Sequence, residues 1–150
     1  MMKNIFNESD YTEIRLRIEN LSHENLRSWG SMNIEEMIIH CTVQLKLALG
    51  EISFKQQGPS VMRSRLGKWI LFSAIPWPKG VVTPNEMNRI ATFSPTEFEY
   101  EKTTLLNYIE SVKKAKELKA HPFFGELKRK EWGRVIYKHL DHHLKQFGSR

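Results

Sequence analysis

Residues 129–147 read RKEWGRVIYKHLDHHLKQF. On a helical wheel at about 100° per residue, Trp132, Val135, Ile136, His139, Leu140, His143 and Phe147 fall in one arc. Lys130, Arg134, Lys138, Asp141 and Lys145 fall on the opposite side. A stripe of that width is the face a helix turns toward its neighbours. The spacing therefore predicts one amphipathic helix from about Arg129 to Phe147, stopped by Gly148. Its polar face reads as a solvated outer surface. Two members of the apolar arc are out of character. His139 and His143 lie one turn apart, and an imidazole taken out of water needs partners for both ring nitrogens or carries a desolvation cost. Histidines at i and i+4 project side by side and can share a metal ion. The alternative is that they hydrogen-bond to other polar groups of the core.

The rest of the chain supplies the helices for that face to meet. Prolines 59, 76, 78, 84, 95 and 122 leave three long proline-free stretches, 1–58, 96–121 and 123–150, each with helical periodicity. In the first, Tyr11, Ile14, Ile18 and Leu21 form one stripe. After a break at Ser28–Ser31, Asn33 and Glu36 form the two halves of a capping box. The helix they open carries Ile34, Met37, Ile38, Cys41, Leu45 and Ala48 inward and should stop at Gly50. Ser94-Pro95-Thr96-Glu97 is a second strong helix start. That helix is expected to run to about Leu118, with Phe98, Leu105, Ile109 and Val112 inward and Lys113, Lys114, Lys116 and Lys119 crowding its basic end. Between these units, Val61–Ile75 reads as a further helix and Pro76-Trp77-Pro78 as extended chain. Val81-Val82-Thr83 is β-prone but too short to argue a sheet. The expected class is all-α: a single domain over residues 1–150, a four-helix bundle with a short extra helix or irregular crossover between the second and third long helices.

Composition narrows the function classes. At 150 residues, 27% charged and 40% hydrophobic, the chain is ordinary for a globular domain. Its one cysteine, Cys41, excludes a disulfide scaffold. The apolar run Trp69–Pro78 is about half the length that spans a bilayer. The polar N-terminus does not resemble a leader, so a cytoplasmic setting is expected. Lys and Arg exceed Asp and Glu by 23 to 17, a net charge of +6. That excess, with Lys128-Arg129-Lys130, permits nucleic-acid binding, but the cations follow helix faces and ends rather than interleaving with aromatics. Nucleic acid is therefore the disfavoured partner. Trp69–Trp77 can be core or a homodimer contact, with core the favoured reading.

A metal site needs a third ligand from another helix. His142 lies at the edge of the arc, and His23 sits in a polar stretch and is expected to be exposed. His40, mid-way along the second helix, can reach a neighbouring helix. His121, in the turn His121-Pro122-Phe123-Phe124-Gly125, either lines the open end of the bundle, as a candidate for proton transfer, or caps its turn. Cys41 points about 100° away from His40 and reads as core.

Two segments carry a family resemblance. Residues 29–40, WGSMNIEEMIIH, resemble the W-x-x-M-x-x-x-x-M-x-x-H segment of the DinB/YfiT-like superfamily. Residues 121–148, with H-x-x-x-H-L-x-Q-F, resemble the C-terminal signature of a DinB-like branch of unknown function. The resemblance implies a four-helix bundle with a three-histidine divalent-metal site, and the positions match His40, His139 and His143. It implies a metal-dependent enzyme, a thiol S-transferase or a hydrolase, acting on a small molecule. Relatives use low-molecular-weight thiols such as bacillithiol, and zinc or nickel would suit three histidines. A non-catalytic metal- or ligand-binding module is the alternative. Residues 51–88 depart from the superfamily's better-characterised members.

Overall fold

The computed structural model describes residues 2–56, 58–80 and 95–150, and for Pro95 only its backbone. Its helices are α1 (Glu8–Glu19), α2 (Ile34–Leu49), α3 (Arg65–Leu71), α4 (Pro95–Lys114) and α5 (Arg129–Gln146), with a 3-10 turn at Ser60–Arg63. No strand occurs among the described residues; one isolated bridge joins His121 and Gly125. The four long helices form a ring in which α1 packs on α4 and α5, and α2 packs on the same two. No described helix is long and apolar enough to cross a membrane.

The stripes read from the sequence are the core. Every inward residue named above for α2, α4 and α5 is buried, as are Tyr11, Ile14, Ile18 and Leu21. The α2 capping box forms as expected, Asn33 Oδ1 accepting from Glu36 N and Glu36 Oε2 from Asn33 N, both at 2.8 Å. Gly50 ends α2 in the left-handed conformation. Ser94 and Val81-Val82-Thr83, which carried two of the expectations, lie outside the described residues.

Four expectations need correction. First, α4 stops at Lys114, not Leu118. Arg129, from the start of α5, donates to the carbonyls of Lys113 and Ala115. The chain then crosses to α2, where Lys119 N donates to Ala48 O at 2.9 Å, and Trp132 Nε1 donates to Lys119 O at 2.9 Å. Second, Val61–Ile75 is not one helix. Ser64 breaks it: its backbone is extended and its hydroxyl accepts from Gly67 N, capping α3 instead. Third, Lys138 does not solvate an outer face. It is half-buried, and its ammonium donates to Leu71 O and Ser73 O at 3.0 Å each, fastening the end of α3 to α5. Fourth, Trp69–Trp77 is mostly not core. Leu71 is buried and Phe72 and Trp77 pack on the core, but Trp69, Ile70 and Ile75 are exposed.

The N-terminal segment closes over α5 at Gly133. Ile5 N donates to Gly133 O at 3.1 Å, Asn4 Nδ2 donates to Lys130 O at 2.9 Å, and a Cβ on Gly133 would lie 2.0 Å from Asn4 Oδ1 and 2.5 Å from Phe6 Cδ2. Alanine in mid-helix ordinarily stabilises relative to glycine by about 0.5–1 kcal/mol. Here Gly133→Ala is expected to destabilise by about 1–3 kcal/mol, because the segment must lift from the helix. Urea unfolding of the two proteins checks the sign.

Candidate metal centre

The adjacency of α2 and α5 brings together residues about a hundred positions apart. His40 faces His139 and His143, with ring centroids 4.8 Å apart for His40–His139, 4.8 Å for His40–His143 and 4.6 Å for His139–His143. All three are buried, at 4%, 6% and 7% exposure. One ring nitrogen from each lies within 4.8 Å of the others. Among the described residues this is the one group of three or more His, Cys, Asp or Glu side chains so arranged.

The hydrogen bonds around the rings set their protonation. His40 Nε2 and His139 Nε2 are 2.8 Å apart; one N–H serves that bond, so the other Nε2 presents a lone pair. Nδ1 of His143 donates to Gln146 Oε1 at 2.9 Å, which leaves the His143 Nε2 lone pair for the cluster. Gln146 is itself fixed: its Nε2 donates to Trp29 O at 2.8 Å, and its backbone carbonyl accepts from Ser28 N at 2.7 Å. The loop can come this close because residue 30 is glycine. Its φ is +79°, and a Cβ there would sit 2.5 Å from Gln146 Nε2. Burial, reinforced by the neighbouring imidazoles, pushes His139 well below the ordinary histidine range and His143 down to about 3. Both are neutral at pH 7, the form in which imidazole is a ligand.

This donor set fits a divalent cation. Two nitrogens bound tetrahedrally at 2.0–2.1 Å stand about 3.3 Å apart, between the 2.8 Å closest pair and the 4.8 Å limit of the group. His139 Nδ1 is buried without a hydrogen-bond partner, a cost that points to a role for the ring beyond packing. The His143–Gln146 bond is the outer-sphere support that metal-ligating histidines ordinarily have.

The other candidates separate cleanly. His121 stands outside the group: its N–H and C=O both pair with Gly125, its Nδ1 accepts from Phe123 N at 3.1 Å, and its ring packs on Phe124 and Trp132. Burial lowers its pKa to about 4. Cys41 is core, 3.7 Å from Met37 Sδ, and burial drives its thiol pKa upward. His23, expected to be exposed, is half-buried, with Nδ1 2.7 Å from Glu35 Oε1 and its ring against Phe98.

Four residues escaped notice as parts of the site. Gln146 stood in the quoted H-x-x-x-H-L-x-Q-F pattern, three residues after His143, where helical neighbours meet. The Trp77 ring lies 5.8 Å from His139 and 6.2 Å from His142, and Trp29 lies 5.9 Å from His142. Lys79 Nζ is 4.3 Å over the Trp29 ring. The sequence carries no signal for these last contacts, which depend on where the crossover returns.

Three buried neutral imidazoles, His121, His139 and His143, make an expected pH signature. Their folded pKa values lie below the unfolded value near 6.5, so as pH falls below 6.5 protons bind the unfolded chain first. Stability is fully present above pH 6.5 and declines below it by about 1.4 kcal/mol per pH unit for each such histidine. Urea unfolding of chelator-treated protein at pH 7, 6 and 5 reads this slope, and a flat profile would show that the rings are hydrated.

The family profile for "Protein of unknown function (DUF1569)" matches residues 4–150. No curated protein and no solved structure matches the chain. The match spans α1 to α5 and includes all three histidines, and the chain belongs to the DUF1569 family.

Proposed function

We propose that the chain is a divalent-metal-dependent enzyme related to the DinB/YfiT-like superfamily, with His40, His139 and His143 as ligands. The observation that carries the reading is the convergence of three buried imidazoles from two helices, one with its tautomer set by Gln146. Three protein ligands leave coordination positions open, as in catalytic rather than closed structural sites. An all-imidazole donor set suits zinc or nickel. A bound ion would supply a Lewis acid that lowers the pKa of a thiol or water at neutral pH. That chemistry fits a thiol S-transferase, with a low-molecular-weight thiol of the bacillithiol type as one substrate, or a hydrolase.

The chain's own residues give the site its shape. Gln146 holds the His143 ring, and through Trp29 O it ties the loop 28–31 to the cluster. Trp77 stands beside His139 and limits water there. His121 keeps its turn-capping role in this reading and takes no part in proton transfer.

One observation favours a second reading, a metal- or ligand-binding module without turnover: the cluster is all histidine, with no carboxylate and no reactive thiol in it. Turnover separates the two. Protein purified without a tag or a nickel column is expected to hold about one divalent ion per chain by elemental analysis. His139→Ala should lose it, and Gln146→Leu should bind it about 10–100-fold more weakly. Full metal content in His139→Ala would remove the site. Metal-dependent conversion of electrophiles in the presence of several thiols supports the enzyme, and none across the screen with metal bound supports the module.

A further inference from the structure

A second feature of the chain has no part in the metal centre. Between Glu51 and Glu86 the sequence contains no acidic residue and five cations, Lys55, Arg63, Arg65, Lys68 and Lys79. Within this stretch α3 is inverted relative to the other helices. Leu66, Trp69 and Ile70, at i, i+3 and i+4, share one face, and that face points to solvent at 58%, 67% and 50% exposure. Leu71, on the far side, is the residue α3 buries. Val61 before the helix and Ile75 after it extend the exposed apolar surface, at 51% and 60%. Lys55, Arg65 and Lys79 are exposed on the same stretch.

We propose that the α3 stripe docks on an anionic lipid surface. Apolar side chains with a tryptophan, on a stretch of chain that carries cations and no acids, match the two layers of such a surface. The rings and aliphatic chains enter the acyl boundary while the cations meet the headgroups. Tryptophan favours that interface because one end of its ring is apolar and the other a hydrogen-bond donor. Charge argues against a second copy as the occupant, since a two-fold contact through this face would bring like charges together. Nucleic acid would meet the cations but leave Leu66, Ile70 and Ile75 without an apolar partner. The stripe is held in register from below, by Lys138 donating to Leu71 O and Ser73 O and by Lys68 donating to Glu126 O. It is therefore presented as a fixed face.

Vesicle flotation tests the proposal with the full chain. Wild-type protein should float with vesicles of phosphatidylglycerol and phosphatidylcholine at low salt. It should float at least about ten-fold less with pure phosphatidylcholine, and less again when salt screens the headgroups. Leu66→Ser with Trp69→Ser should remain in the bulk, and Arg65→Glu should bind more weakly. Both variants should keep wild-type helical circular dichroism, since all three side chains are exposed. Trp69 emission should shift to the blue on anionic vesicles. Absence of wild-type flotation at low salt, or equal flotation of the double variant, overturns the proposal. So does a dimer in sedimentation that the double variant dissolves without any vesicle binding, which would assign the stripe to a second copy.

Discussion

Three imidazoles buried in one seam constrain everything around them. Each ring brings two nitrogens out of water, and each nitrogen must find a partner or leave the fold with its desolvation cost. The seam between α2 and α5 answers this with neutral rings at His139 and His143, a short bond between His40 and His139, and Gln146 on the far nitrogen of His143. Gln146 then needs an acceptor for its own amide, and Trp29 O supplies it. That contact requires a residue without Cβ at position 30. The loop 28–31, more than a hundred residues before Gln146 in sequence, is thus part of the support of the cluster.

Helix ends impose a second constraint, which engages some of the chain's cations. The last carbonyls of a helix have no partner within it. In this chain three cations from other elements meet them. Lys102 donates to Glu19 O and Leu21 O at the end of α1. Arg129 donates to Lys113 O and Ala115 O at the end of α4, and Lys138 to Leu71 O and Ser73 O at the end of α3. Each couples two elements, so these side chains stabilise packing as well as caps. Arg17 acts similarly, joining Asp141 at 2.7 Å and Ser149 O at 2.8 Å to hold the chain's end against α1. A share of the positive charge is consumed inside the fold and gives no argument for a polyanionic partner.

The crossover between α2 and α4 serves two surfaces at once. Its α3 face turns apolar residues outward, while Trp77, a few residues on, turns back to lie beside His139. Lys138 links the two, since it neighbours His139 in α5 and holds the end of α3. The end of α3 is therefore tied to α5 one residue from a member of the three-histidine cluster.

What could be read without the structure was local. The α5 stripe, the Asn33–Glu36 capping box, the Gly50 stop and the side-by-side placement of His139 and His143 all follow from spacings of three or four residues. Within one turn, helix geometry leaves little choice. His40 could be named as able to reach a neighbouring helix, and the family resemblance matched it to the pair. Its convergence with them awaited the packing of α2 on α5. The sequence by itself determined the four long helices, their inward faces and the pair of histidines. The tertiary structure alone decided where α4 stops, that Lys138 pins α3, that Gln146 orients His143, and that Trp69 faces outward while Trp77 faces in. Most of those depend on residues far apart in sequence, and no periodicity encodes which carbonyl, ring or amide a folded chain brings within reach.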